Sequence, residues 1–197
     1  MRKTLDWLKS SPKNGRVLLV ATRSLYYISP FLISESDVPI DGVLRHGQFF
    51  SAKGNEAQKV FFESLENTVK TLGAVGVNVV YMAPIPEMLV PTYRCAFNPK
   101  KNECQTSRSL NQTYRDEFMR ELRLLDERYP GLTVWDPFDK ICQGSSCGNF
   151  YRGQALYRDD DHLTLSMAES LAEDLWGSLG KVINRSGHES VGQTVNY

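Results

Sequence analysis

Apolar residues follow two patterns along this chain, short continuous runs and longer stretches with helical spacing. Continuous runs rich in Val and Leu cover residues 16–21, 77–83 and 132–136. Such runs, bounded by Gly and Pro, are typical of strands buried on both faces of a parallel sheet. We therefore predict three core strands.

The stretches between and after these runs have an apolar stripe at helical spacing, which predicts helices over residues 55–72, 110–129 and 168–179. A shorter amphipathic helix is predicted over residues 1–11. The positions that should face the core are Val60, Phe61, Leu65, Val69, Leu72, Phe118, Leu122, Leu125, Leu171, Leu175 and Trp176. Strands that alternate with helices predict an α/β fold, a three-layer, flavodoxin-like parallel sheet with helices on both faces.

Three segments lack a sustained period. Residues 28–54 are rich in Ser, Pro, Gly and Asp, and we expect an irregular excursion with short strands around residues 42–50. Residues 89–107 form a long aperiodic loop, which suggests a functional insertion or lid. The polar residues 185–197 predict a disordered tail, so a single domain is expected over residues 1–184.

The composition narrows the classes of partner. Lys plus Arg and Asp plus Glu both total 23, so the formal net charge is zero and nothing favours binding to nucleic acid or an anionic membrane surface. No apolar run approaches the roughly 20 residues that a transmembrane helix needs. No glycine-rich phosphate loop is visible, and we expect no cofactor.

The four cysteines fall into two local pairs, Cys95 with Cys104 and Cys142 with Cys147. Each pair encloses loop-like sequence, which favours two short-loop disulfides. A zinc site is the alternative, but zinc usually takes tighter Cys-x2-4-Cys spacing at both ends, and only the second pair comes close. We expect no metal. Disulfides would indicate an oxidising compartment, although the chain carries no recognisable export signal.

The residues with the clearest catalytic spacing are Asp159 and His162, which lie in an acidic run just before the last predicted helix. A carboxylate that accepts one imidazole N–H fixes the tautomer and leaves the other nitrogen free to take a proton from a hydroxyl. The alternative is an acidic loop that caps the following helix, because Asp and Thr favour N-terminal cap positions.

Other polar residues are weaker candidates. Arg23 and Ser24 follow the first strand, where α/β sheets bind ligands, and they are oxyanion or substrate candidates or part of a surface turn. His46 lies in an irregular loop, and we expect no catalytic role for it. Residues 144–148 read Gly-x-Ser-x-Gly around Ser146, but the strand and helix that a nucleophile elbow needs are missing, so we interpret them as a turn closed by a cystine.

The run Leu-Tyr-Arg-Asp-Asp-Asp-His-Leu-Thr over residues 156–164 resembles the Asp-x-x-His block of the SGNH/GDSL hydrolases. Together with Asp136-Pro137, the Cys142/Cys147 pair and Pro86-Glu87, it is similar to the SGNH domain fused to membrane acyltransferase family 3 proteins, which O-acetylate bacterial surface glycans. The similarity extends over about residues 16–179. It implies that Asp159 and His162 are the acid-base pair of a catalytic triad, and Arg23 matches this branch of the family.

The family's Gly-Asp-Ser nucleophile block is absent, and so is a Gly-x-Asn after the first strand. The expectation is therefore that the chain is the downstream portion of an SGNH domain, incomplete at its N-terminus and inactive alone. A non-catalytic interaction module on the same fold is the alternative.

For the parent protein, the resemblance implies transfer of an acetyl or short acyl group to a glycan hydroxyl, with carbohydrate ester hydrolysis as the alternative. The implied partners are a glycan acceptor and an acyl donor delivered by the membrane domain. The implied location is the periplasmic or extracytoplasmic face of a bacterial membrane. Tyr26, Tyr27 and Tyr151 are candidates for stacking on a sugar ring, although core or surface packing would account for each of them.

Overall fold

A computed structural model describes residues 16–22, 42–45, 48–51 and 55–188 of the chain. The helices and strands follow one another as β1 (Arg16–Val20), β2 (Gly42–Arg45), β3 (Gln48–Ser51), α1 (Asn55–Gly73), β4 (Val77–Met82), β5 (Gln105–Ser107), α2 (Arg108–Arg128), β6 (Leu132–Trp135), α3 (Phe138–Ile141), β7 (Ser146–Gly148), β8 (Phe150–Tyr151), β9 (Gln154–Ala155), α4 (Leu165–Ser170) and α5 (Ala172–His188).

The central sheet of the described residues has three parallel strands in the order β1-β4-β6. Arg16 of β1 is in register with Val77 of β4, and Val79 of β4 with Leu132 of β6. Helix α1 lies on the connection from β1 to β4, and α2 lies on the connection from β4 to β6. Parallel neighbouring strands require such crossover connections. The predicted α/β class and the three predicted parallel strands are confirmed.

Side chains of β4 alternate between the two faces of the sheet, and each face is covered by helices. Val79 and Tyr81 pack with apolar residues of α1 and α2, among them Leu65 and Phe118. On the opposite face, Val80 belongs to a second cluster with residues of β6, α4 and α5. The sheet is therefore the middle of three layers. The predicted core positions Val60, Leu65, Val69, Leu72, Phe118, Leu122, Leu125 and Leu171 are buried, while Phe61 and Leu175 are half-buried and pack against the core.

Strand β1 differs from the prediction that it is buried on both faces. Leu18 and Leu19, which point to opposite faces, are 41% and 42% exposed, whereas Val79 and Val80 of β4 are fully buried. The reason is position: within the described sheet, β1 is an edge strand bonded to β4 alone. The apolar run correctly predicts a strand but not its burial.

The last predicted helix also differs. It is two helices, α4 and α5, that meet at Leu171, and α5 continues to His188 rather than ending near residue 179. Trp176, predicted to face inward, is 68% exposed. One residue of helix turns a side chain by about 100°, so Trp176 lies off the face that Leu171, Leu175 and Leu179 direct at the core. The domain boundary at residue 184 remains a prediction.

Strand pairing and disulfides stabilise the segments outside the central sheet. Strands β2 and β3 are the short strands expected around residues 42–50, and they pair antiparallel. Both predicted disulfides are present, Cys95–Cys104 and Cys142–Cys147. Because these sulfurs are bonded in pairs, the zinc alternative is wrong. Strands β5 and β7 pair antiparallel and join the segments that carry the two cystines.

Candidate active site

A cavity of about 330 Å³ opens at the carboxyl ends of β1 and β4. This is the edge at which parallel α/β sheets bind ligands. Its lining in the described residues consists of Ala21, Thr22, Met82, Ala83, Pro84, Ile85, Glu87, Asp161, His162 and Leu163. The cavity is mostly apolar but contains His162 and two carboxyl side chains, and one of them, Glu87, is buried.

The loop that carries His162, residues 158–162, is closed by its own backbone. Tyr157 and Leu163 form an antiparallel bridge, and Arg158 N–H donates to the carbonyl oxygen of His162 at 2.8 Å. Inside the loop, Asp159 Oδ1 accepts the backbone N–H of His162 at 2.8 Å and that of Asp161 at 3.3 Å. We call residues 158–162 the base loop.

The capping interpretation of this acidic run is also partly met, although by a different residue. Thr164, just after the base loop, is the N-cap of α4, and its hydroxyl accepts the N–H of Met167 at 3.2 Å. Asp159 caps the loop itself and not the helix. The closed loop and the capped helix together fix the direction in which the side chain of His162 leaves the backbone.

The structure brings the two predicted catalytic residues into contact. His162 Nδ1 is 3.1 Å from both carboxylate oxygens of Asp159 and 2.8 Å from Asp161 Oδ1. Ionised carboxylates only accept hydrogen bonds, so Nδ1 must carry the proton. Nε2 is then the nitrogen left to accept a proton, as a general base requires. The imidazole is 64% exposed and reaches the cavity.

The electrostatics of Asp159 favour its charged form. Partial burial acts to raise the pKa of this carboxyl group, but hydrogen bonds from the His162 and Asp161 backbones and from Arg158 outweigh it and hold the pKa well below the usual range. Arg158 Nη2 lies 3.1 Å from Asp159 Oδ2. Asp159 is therefore a carboxylate at neutral pH.

The segment that follows β4 is hydrogen-bonded to the base loop. Met88 N–H donates to the carbonyl of Asp160 at 2.8 Å, and Thr92 donates to the carbonyl of Asp159 through its N–H at 3.1 Å and its hydroxyl at 2.8 Å. Tyr157 donates to the carbonyl of Pro86 at 2.5 Å, and burial raises the pKa of its hydroxyl. The segment predicted as an insertion or lid thus begins by packing against the base loop.

Asn149 extends this support and was not predicted from the sequence. Its side chain is fully buried and donates to the carbonyl of Val90 at 3.2 Å and to the hydroxyl of Thr92 at 3.0 Å. Its backbone N–H donates to the carbonyl of Cys104, which belongs to the first cystine. A chain of hydrogen bonds therefore runs from Asn149 through Thr92 to Asp159.

The structure describes some of the other candidate residues from the sequence and not others. Ser146 lies in β7, paired with β5, and its hydroxyl donates to Gln105 at 3.3 Å, so the Gly-x-Ser-x-Gly match is a turn leading into an antiparallel strand and not a nucleophile elbow. Arg23, Ser24 and His46, as well as Tyr26 and Tyr27, lie outside the described residues. Tyr151 is half-buried and packs against the core.

The side chains of Asp159, Asp161 and His162 bring three ligand-type atoms within 4.8 Å of one another. Exposed acidic groups commonly cluster without an ion, and hydrogen bonding to Nδ1 already accounts for the arrangement. We assign no metal to it.

Fold and site together define a class: an α/β domain that presents an Asp-x-x-His pair at the carboxyl edge of its sheet, as hydrolase-like acyl-transfer domains do. A family model described as "SGNH domain (fused to AT3 domains)" matches residues 1–176, and the chain belongs to this family. A comparison with curated proteins and one with solved structures each find no match. The suspected resemblance to the acyltransferase-linked SGNH branch is thereby confirmed.

The family description links the domain to a membrane acyltransferase domain in one polypeptide, and hence to a membrane-associated parent. Within the part of the chain that the structure describes, no helix combines the length and apolar composition needed to cross a bilayer.

Proposed function

We propose that this domain supplies the base half of a serine acyl-transfer site, and that the reaction moves an acetyl or similar short acyl group onto a glycan hydroxyl. One observation carries the proposal: His162 is held through Nδ1 by carboxylates and faces a cavity at the carboxyl edge of the sheet. The family of the chain supplies the reaction class.

In the proposed reaction, His162 Nε2 takes the proton of a serine hydroxyl while the serine oxygen attacks the acyl carbonyl of the donor. The imidazolium then gives that proton to the leaving group, and an acyl-serine remains. A sugar hydroxyl attacks the ester next, and Nε2 takes its proton and returns it to the serine. Asp159 stabilises the imidazolium in both steps and is not itself protonated.

The serine of this reaction is not identified in the chain. Gly-Asp-Ser occurs nowhere in the 197 residues, so we propose that the nucleophile is contributed from outside them and that the chain alone does not turn over esters. Arg23 and Ser24 directly follow Thr22, which lines the cavity, and they remain candidates for oxyanion or substrate binding.

A serine-reactive phosphonate tests whether the chain lacks a nucleophile of its own. We expect it to leave the mass of the isolated chain unchanged, because two members of a triad cannot generate a serine alkoxide. Specific labelling of Ser24 or Ser146 would contradict the proposal and make this chain a complete enzyme with an unusual nucleophile.

We further propose that the donor is delivered by the fused membrane acyltransferase domain and that the acceptor is a glycan on the periplasmic or extracytoplasmic face. The two disulfides support an oxidising compartment. The zero net charge gives no reason to expect a nucleic-acid partner.

The deciding experiment supplies the membrane acyltransferase that carries this domain with an acyl donor and a polysaccharide acceptor and follows acetyl groups by NMR. We expect new O-acetyl signals on the acceptor that require His162. Free acetate without acceptor modification, across several glycans, would favour a carbohydrate esterase, since water and sugar hydroxyls attack the same acyl-serine. If neither product forms, the absence of Gly-Asp-Ser would favour an interaction module.

A further inference from the structure

Two carboxylates face Nδ1 of His162, and the closer one is not the one that the Asp-x-x-His spacing indicates. Asp161 Oδ1 lies 2.8 Å from Nδ1, whereas both oxygens of Asp159 lie 3.1 Å from it. We propose that Asp161 is a second positioning residue of the base: Asp159 accepts the hydrogen bond from Nδ1, and the carboxylate of Asp161, at ion-pair distance, adds its charge beside the same nitrogen. This inference deepens the proposed function and rests on His162 being the base.

Asp159 has other hydrogen bonds to satisfy. Its Oδ1 accepts the backbone N–H groups of Asp161 and His162, and its Oδ2 accepts from the Arg158 guanidinium at 3.1 and 3.4 Å. A carboxylate offers about four acceptor positions, and these donors occupy most of them. Asp159 therefore acts mainly to close the base loop, and only part of its acceptor capacity remains for the imidazole.

Asp161 is better placed to act on the ring from the side of the cavity. Its side chain is 16% exposed, half the 32% of Asp159. Asp161 lines the cavity together with His162, and Asp159 is not part of that lining. A charge that is shielded from water interacts more strongly with an imidazolium at a given distance.

The arrangement fixes the ring more firmly than one carboxylate would. With a carboxylate on two sides of Nδ1, a ring flip about Cβ–Cγ would put the carbon Cδ2 where Nδ1 lies and lose both contacts. Among the described residues, the other charged or titratable groups around the base loop are Arg158 and the buried Asp160 within it, Tyr157 next to it, and Glu87, which lines the same cavity as His162. Asp161 thus holds Nε2 toward the cavity and helps to stabilise the imidazolium that forms in each proton transfer.

The test measures the tautomer of His162 in the 197-residue chain, using ¹⁵N shifts and one-bond couplings of the ring, which requires no acyl-transfer activity. The variants are Asp159→Asn, Asp161→Asn and the double variant. An Asn at position 159 still accepts the loop N–H groups through its oxygen but offers its NH₂ to Nδ1, which favours the wrong tautomer. Asp116→Asn, at an exposed site on α2, removes one charge without touching the base loop and is the matched control.

We expect wild type and the Asp116 control to keep the neutral ring protonated on Nδ1. Asp159→Asn should keep a large Nδ1–H population because the charge of Asp161 remains beside Nδ1, and the double variant should lower the Nδ1–H to Nε2–H ratio by at least about fivefold relative to Asp159→Asn, as expected for the loss of a close charge. A double variant equal to Asp159→Asn would overturn the proposal.

If amide exchange shows that Asp159→Asn opens the base loop, the single variant Asp161→Asn decides. A lowered Nδ1–H population supports the proposal, and a wild-type population overturns it. Because the tautomer does not depend on turnover, a chain that fails as an acyltransferase can still pass this test, and an active one can fail it. The two proposals are therefore distinguishable.

Discussion

The base loop and the turn that carries Ser146 are both short, both local in sequence, and both match a pattern known from serine enzymes. Their surroundings differ. The base loop lies at the carboxyl edge of the parallel sheet and faces a cavity, whereas Ser146 lies in an antiparallel pair with β5 and donates to Gln105. Both are held by a distant part of the chain, the base loop through Met88 and Thr92 and the Ser146 turn through β5, so the difference lies in the sheet edge and the cavity. A motif becomes a site through what the fold puts next to it, and the following predictions test this difference.

The largest expected effect is on turnover. In the acyltransferase that carries this domain, His162→Ala should lower the acyl-transfer rate by roughly 10²–10⁴-fold, because a general base contributes about that much. Ser146→Ala, the matched change in the other loop, should leave the rate within about twofold, as expected for a side chain away from the chemistry. Rates measured under saturating acceptor decide it. A loss below about tenfold for His162→Ala, or a large loss for Ser146→Ala, would reverse the comparison.

The second effect is on stability and concerns Asn149. Asn149→Ala removes two buried hydrogen bonds, to Val90 and Thr92, and leaves their oxygens without that donor. We expect the free energy of unfolding to fall by about 2–3 kcal/mol, measured by urea denaturation of the oxidised chain.

The control for Asn149 is Gln143→Ala. This amide is exposed on the turn between Cys142 and Cys147, and it donates to the carbonyl of Lys140 at the surface. Its loss should cost less than about 0.5 kcal/mol. Equal losses of unfolding free energy in the two variants would mean that Asn149 does not stabilise the segment that carries Val90 and Thr92.

A smaller effect is expected at Thr92, which links Asn149 to the base loop. Thr92→Val keeps the shape but removes the hydroxyl that donates to the Asp159 carbonyl and accepts from Asn149, and it should cost about 1–2 kcal/mol. Thr92→Ser keeps the hydroxyl and should lose less than half of that. Amide exchange within the base loop should rise in the Val variant and not in the Ser variant, and equal exchange in both would contradict the hydrogen-bond chain.

The sequence predicts the parts of this molecule that depend on local pattern. The continuous apolar run in β4 and the stripes at helical spacing in α1 and α2 are local patterns, so these elements and most core positions follow from them. The Asp159 and His162 pair is also local, since two residues three positions apart in one tight loop make the contact. Cysteines separated by a few loop residues likewise pair as predicted.

What the sequence does not predict depends on distant neighbours. The contacts of Asn149 reach Thr92 and Val90, 57 and 59 residues away, and a single buried Asn has no period that would mark it. The exposure of Leu18 depends on which strands flank β1. The approach of Asp161 to Nδ1 depends on how the loop closes, which residue spacing alone does not give.

The smallest expected effect is a pH dependence that arises in the base loop and has no counterpart at Ser146. The pKa of Asp159 lies below its ordinary value of about 3.9, so its ionised form stabilises the folded state above that value. This contribution is lost as the pH falls below about 4, when the unfolded chain binds a proton that the folded chain still excludes. The Asp159 side chain is 32% exposed, and water therefore limits the size of the effect.

Because other carboxylates also titrate in this range, the measurement is the difference in unfolding free energy between wild type and Asp159→Asn, from urea titrations between pH 7 and pH 3. We expect a difference that is constant above about pH 5 and shrinks below it, as the native carboxylate loses its advantage over the amide. A difference that stays constant down to pH 3 would show that the donors around Asp159 do not stabilise its charge.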